Sequence, residues 1–89
     1  ITSVAFGARE SKVAIMPNPA STYLTVQMPN TWINESVVEI FDMTGRLVYQ
    51  NTVNELQINL PLSSLGNGQY LLRIQNEQEV ITKYFVKND

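Results

Sequence analysis

No histidine and no cysteine occur among the 89 residues. The first absence removes imidazole acid–base relays, and the second removes thiol nucleophiles and disulfide staples. Together they take away the ligands that zinc, copper and haem sites most often use. Catalysis would have to rest on Ser, Asp, Glu, Lys or Tyr alone, so the chain reads as a non-enzyme with no cofactor. Charge is also scarce, with six Lys and Arg against eight Asp and Glu and a net charge of −2. That balance is the wrong sign for wrapping nucleic acid and too small for long-range steering. No apolar run approaches the ~20 residues of a membrane-spanning helix, and no basic n-region followed by an apolar h-region opens the chain. What is there is 44% hydrophobic content, in a chain short enough to support one core only. Its first residue is Ile1 rather than Met, which reads as a processed product or, the favoured reading, a piece of a longer protein.

Residues 1–12, ITSVAFGARESK, show neither period-2 nor period-3.6 order and read as a linker from an upstream domain, with a folded domain over 13–89. From Val13 onward, short apolar runs are separated by turn residues, and most runs alternate. Leu24, Val26 and Met28 share one face with Thr25 and Gln27 opposite. Leu56, Ile58 and Leu60 alternate with Gln57 and Asn59, and Tyr70, Leu72 and Ile74 alternate with Leu71, Arg73 and Gln75. With Val13–Met16, Val37–Asp42, Leu47–Asn51 and Val80–Lys87, these make seven candidate strands, and their spacing predicts an all-β sandwich. One segment is ambiguous: Ile33, Val37, Ile40 and Phe41 fall at helical spacing after Asn30 and Thr31. The adjacent β-branched Val37 and Val38, and the alternation of Val38 and Ile40 around Glu39, favour a strand there.

Three turns punctuate the strands. Asp42-Met43-Thr44-Gly45 offers a side-chain acceptor at the first position of a type I turn and Gly at the fourth, where a left-handed residue returns the chain as a hairpin. Pro17-Asn18-Pro19-Ala20 should be stiff, since Pro19 pushes Asn18 towards extended backbone and restricts its own φ. Leu65-Gly66-Asn67-Gly68-Gln69-Tyr70 sets an apolar anchor before two glycines, Gly66 and Gly68, that permit positive φ, and then opens a strand at Tyr70.

These signals in this order resemble the C-terminal sorting domain of the type IX secretion system of Bacteroidetes-type bacteria. The residues that carry the resemblance are Met16-Pro17-Asn18-Pro19-Ala20 with Tyr23-Leu24-Thr25-Val26, then Val38 to Val48 around Asp42 and Gly45. Ile58, Leu60, Leu65, Gly68-Gln69-Tyr70 and Lys83–Lys87 follow. None is specific alone; the ordered set from Val13 to Lys87 is. The resemblance implies a seven-stranded antiparallel immunoglobulin-like β-sandwich at the end of a secreted protein. It also implies passage of the parent protein through the periplasm and across the outer membrane to the cell surface or beyond. The implied partners are the translocon, outer-membrane shuttle and sortase proteins, and the upstream cargo domain of the same chain. By the family pattern, a sortase cut falls within residues 1–12. Family members commonly end at or just after the basic residue of the last strand, whereas here Asn88 and Asp89 follow Lys87.

The recognition candidates are accordingly Pro17, Asn18 and Pro19, Gly68 and Tyr70, and Lys83, Tyr84, Phe85, Val86 and Lys87 of the last strand. Each has a structural reading beside the functional one. Pro17-Asn18-Pro19 is also a rigid lead-in that keeps the first strand from adding to a neighbouring sheet, and Lys83 and Lys87 are also edge-strand charges that oppose aggregation, removable at little cost in stability. Asp42, Gly45, Gly66 and Gly68 read as turn formers. Glu35, Glu39 and Asp42 lack the dense oxygen-ligand spacing of a calcium loop. The Asn34-Glu35-Ser36 sequon is a three-residue pattern that arises by chance. Trp32 either covers one end of the core or stacks on sugar with Tyr23 or Tyr49, and the sugar reading belongs to an alternative function as a carbohydrate-binding or adhesive module. Strand edges open to a second copy would allow a homodimer.

Overall fold

The computed structural model describes residues 13–29, 35–77 and 79–89. Residues 1–12, with the linker and cleavage expectations, and Trp32 and Asn34, with the stacking and sequon readings, lie outside the described residues. Seven strands follow in order: β1 (Ala14–Met16), β2 (Tyr23–Gln27), β3 (Ser36–Asp42), β4 (Leu47–Val53), β5 (Gln57–Pro61), β6 (Gly68–Gln75) and β7 (Val80–Lys87). They form a three-stranded sheet ordered β1-β2-β5 and a four-stranded sheet ordered β4-β3-β6-β7, with every strand pair antiparallel. The segment with two readings is therefore a strand from Ser36 onward, as its β-branched pair favours.

The alternating residues close the core. Leu24, Val26 and Met28 meet Val38, Ile40, Leu72, Ile74 and Phe85, with Leu60, Leu62 and Ala20 filling between them, and all are buried. Each large side chain removed from water contributes about 1.5–3 kcal/mol, which is what fixes strand register, because a one-residue slip would turn the whole set outward. The outer faces differ in character. Thr25 donates its hydroxyl to Asn59 Oδ1 at 2.7 Å on the three-stranded sheet. On the four-stranded sheet, Glu39 is buried beneath Arg73 (Nε to Oε1, 2.9 Å) and Gln50 (Nε2 to Oε2, 3.0 Å).

The β3–β4 hairpin forms as its residues dictate. Gly45 N–H donates to the Asp42 carbonyl at 3.0 Å, Asp42 N–H donates to the Arg46 carbonyl at 3.0 Å, and Gly45 takes φ +89°. Asp42 Oδ1 accepts the Thr44 N–H at 2.9 Å, the Thr44 hydroxyl at 2.6 Å and the Arg46 N–H at 3.1 Å. A register shift at Ile40/Phe41 marks a bulge beside it. Nothing lies within 4 Å of a Cβ added at Gly45, so the cost of a side chain there is conformational. Gly45→Val should destabilise the domain by about 1–3 kcal/mol and Gly45→Asn by less. Equal melting temperatures for wild type and the Val variant would contradict that role.

The same turn makes a pH prediction. The Asp42 carboxyl is held below its ordinary pKa, first by the Thr44 hydroxyl and then by the Arg46 N–H, with the Thr44 N–H and the Arg46 charge adding to them. A carboxylate depressed in the folded state stabilises above its unfolded-state pKa, and that contribution is lost as pH falls through the folded-state value. The melting temperature of Asp42→Asn should therefore fall less steeply than that of wild type below about pH 4. Parallel acid limbs would refute it.

Candidate functional site

The three turn segments and the end of β7 converge on one end of the sandwich. The antiparallel register requires it: Asp42 pairs with Tyr70, and Gly68 pairs with Lys87, so the close of β3, the start of β6 and the close of β7 share a level. The segment from Pro17 to Ala20 leaves β1 in the three-stranded sheet and reaches the edge of β7 in the four-stranded one. Ala20 N–H donates to the Val86 carbonyl at 2.8 Å, and Asn88 N–H donates to the Ala20 carbonyl at 2.8 Å, with a parallel bridge between Ala20 and Lys87. Pro19 has no N–H to give, and Asn18 supplies its side chain instead: Oδ1 accepts the Val86 N–H at 3.1 Å. Both X-Pro bonds of the segment, Met16-Pro17 and Asn18-Pro19, are cis.

This corrects two expectations. The proline segment does not merely lead in from the first strand; it occupies the edge of the last one. And the edge of β7 is closed over Val86–Asn88, because those backbone groups already have partners within the chain.

The Leu65–Tyr70 turn lies beneath this contact. Leu65 N–H donates to the Leu62 carbonyl at 2.9 Å. The buried Tyr70 ring stacks on Phe85 with centroids 5.6 Å apart, and its hydroxyl donates to the Gly66 carbonyl at 2.6 Å. That return bond at the start of a sandwich strand is a tyrosine corner. Gly68 takes φ +154°, but Gly66 does not have positive φ, so its part in the turn is the carbonyl it offers Tyr70. Asn67 Oδ1 accepts the Asp89 N–H at 3.2 Å.

Lys87 is the larger departure. Its place on β7, in phase with Ile81 and Phe85, turns it inward, and it is only 3% exposed, with Nζ 2.9 Å from Oδ2 of the exposed Asp89. Lys83 is half-buried on the same inner face. Neither is the freely solvated edge charge that residue type alone implies, because the period-2 alternation of a strand decides the face whatever the side chain. Tyr84 and Val86, in contrast, are exposed on the outer face.

Beside this end, on the outer face of the four-stranded sheet, Phe41, Met43, Leu71, Arg73 and Tyr84 line a shallow groove of about 360 Å³. The Arg73 guanidinium lies 5.6 Å from the Phe41 ring centroid, in cation–π range. Among the described residues, this arrangement pairs no nucleophile with a base; beside the Lys87–Asp89 ion pair and Arg73 it is made of backbone, amide and apolar groups, which bind by shape and hydrogen bonding. Among the described residues there is no group of three or more acidic side chains placed to hold a metal. Glu39 is committed to Arg73 and Gln50, and Asp42 to its turn. Tyr23 and Tyr49 lie in different sheets.

Of the sequence candidates, then, Pro17, Asn18, Pro19, Gly68, Tyr70, Val86 and Lys87 come together, with Phe85 beneath them. Tyr84 faces the groove, and Lys83 stands one turn of the alternation away. Asn67, Asn88 and Asp89 complete the cluster; the sequence marks Asn67 only as part of a turn and the other two only as residues beyond Lys87, none of them as a recognition candidate. Their contribution is through amide and backbone groups that leave no pattern, although the Lys87-x-Asp89 spacing is a pairing signal.

Comparison with known proteins bears on the chain as a whole. Residues 14–88 match the family model described as secretion system C-terminal sorting domain. A curated relative, ulvan lyase NLR42 of Nonlabens ulvanivorans, is 28% identical over 80 residues, which is 88% of this chain but only 15% of the relative's length. Among solved structures, a DUF3244 family protein with an immunoglobulin-like β-sandwich fold from Bacteroides vulgatus is similar with a TM-score of 0.73 at 21% identity, over 86% of this chain and 84% of that one. PorZ, an essential bacterial surface component of the type-IX secretion system of Porphyromonas gingivalis, gives the same TM-score at 18% identity, over 92% of this chain and 12% of its own. At these identities the structural likeness speaks for the immunoglobulin-like sandwich fold alone.

Proposed function

The chain belongs to the family of secretion system C-terminal sorting domains, those of the type IX system, and from that premise we propose that it is a non-catalytic export label for the protein that carries it. The label would take a folded passenger from the periplasm across the outer membrane, to the cell surface or the medium. Its readers would be the translocon and the outer-membrane shuttle proteins, and a sortase would cut within residues 1–12 and join the passenger to the surface. The observation that carries this reading is the convergence at one end of the sandwich. Asn18, Ala20, Asn67 and Val86–Asp89 are distant in sequence and are held together by four hydrogen bonds and the Lys87–Asp89 ion pair. Such a surface exists only once the domain has folded, which suits a signal that is read in its folded form. The match to a small share of a much larger lyase supports the same view, since a label travels with a passenger whose activity lies elsewhere.

The test is a passenger fusion. A periplasm-directed reporter carrying residues 1–89 should leave the cells of a type IX-competent bacterium and stay in the periplasm of a strain without the translocon. The reading fails if the reporter remains inside competent cells, or if it leaves cells that lack the translocon.

A further inference from the structure

The edge of β7 is closed only in part. Val86 turns its N–H and carbonyl away from β6, towards Asn18 and Ala20. By the two-residue period of a strand, Tyr84, Thr82 and Val80 turn theirs the same way. No described residue pairs with them: β7 has β6 as its one strand neighbour, and the bridge to Ala20 lies at Lys87. Among the described residues, the stretch left open is therefore Val80–Tyr84. It is bounded at one end by the proline segment and at the other by the Asn76–Glu79 turn, where Asn76 N–H donates to the Glu79 carbonyl at 3.0 Å.

We propose that this stretch pairs antiparallel with the same stretch of a second copy, about a two-fold axis through Thr82. The occupant is singled out by self-complementarity. In that register Thr82 faces Thr82, and Val80 of each copy faces Tyr84 of the other. Each of these three pairings exchanges two backbone hydrogen bonds, as the outward groups require. The outer-face pairs are Thr with Thr and a β-branched residue with an aromatic, combinations that stabilise antiparallel sheets. Val80 and Tyr84 are 59% and 57% exposed in the single chain, and each would cover the other. Length agrees as well: the second copy's strand begins at Val80, opposite Tyr84, one hydrogen-bonded step short of the Val86 position that Asn18 and Ala20 fill. A longer foreign strand would run into that plug. Lys83 falls opposite Ile81 on the inner side, where its long stem reaches solvent past the apolar contact. The product is a continuous sheet with both three-stranded layers on one side, and its interface is small, so the dimer is weak and its population rises with concentration.

The chain itself, residues 1–89, is the material for the test. Sedimentation velocity across a concentration series should show a reversible monomer–dimer equilibrium. Thr82→Pro deletes the central outward N–H but none of the bonds to β6, so it should keep the fold and weaken dimerisation about tenfold or more. Should that variant fail to fold, cysteine pairing gives an independent reading, because the chain has no cysteine of its own. Thr82→Cys should oxidise to a covalent dimer much faster than Thr52→Cys on the opposite edge strand β4, since a facing pair across two antiparallel strands lies within disulfide reach. A monomer at every concentration, dimerisation unchanged in folded Thr82→Pro, or equal cross-linking of the two cysteine variants would overturn the proposal. None of these results bears on whether the chain directs export, which the fusion assay reads separately.

Discussion

Phe85→Ala is expected to lower the stability of the domain by about 3–5 kcal/mol, the range for truncating a fully buried aromatic side chain. Phe85 is 1% exposed, stacks on Tyr70 and stands between the two sheets at the end where the turns converge. Its loss opens a cavity beneath the tyrosine corner and beneath the strand end that the proline segment holds. Each kcal/mol is worth about 4–8 °C in a domain of this size, so the melting temperature should fall by at least about 12 °C. Tyr84→Ala, one residue away on the exposed face, should cost under about 1 kcal/mol. Thermal unfolding of the two variants side by side is the check, and similar losses would mean that the inward and outward faces of β7 are misassigned. It follows that removing residues 83–89 abolishes the fold along with any signal, so export lost on that deletion would not identify what is recognised.

Lys87→Glu is the second large effect. The ammonium is buried and has Asp89 as its ionic partner; a carboxylate in its place would sit unpaired and beside a like charge, at a cost of about 3 kcal/mol or more. Lys87→Met keeps the packing of the stem and removes the charge, and should lie within about 1 kcal/mol of wild type. Asp89 being exposed, its removal should cost less than the Glu substitution, because water can take over part of its role. Chemical denaturation of the three variants measures this, and a Glu variant as stable as wild type would show that Lys87 reaches solvent after all.

The seven strands are legible in the sequence because one face of each sheet is buried, and burial writes itself as alternation: Leu24, Val26, Met28 and Tyr70, Leu72, Ile74 leave no other register. The β3–β4 turn is legible for a local reason, since Asp42 and Gly45 act within four residues of each other. The site is legible only in its parts. Asn18 reaches Val86 across 68 positions, and no local pattern encodes a side-chain amide standing in for the N–H that a proline lacks. Lys87 misleads because a charged residue type reads as solvent-facing, while its phase on the strand turns it inward. Gly66 misleads in a milder way: its carbonyl, not its backbone freedom, is what Tyr70 uses.

The central claim is that a machinery recognises the end of the folded sandwich where these segments meet. Matched charge substitutions at the two ends test it most directly. Pro17→Glu with Asn88→Glu alters exposed positions at the converging end, and Asn54→Glu with Gln57→Glu alters exposed positions at the opposite end. The quantity to measure is the export of a reporter carrying each double variant, in variants shown to melt like wild type. The account predicts that the first pair leaves the reporter in the periplasm and the second exports it at the wild-type level. Undiminished export of the first pair, or loss confined to the second, would contradict it.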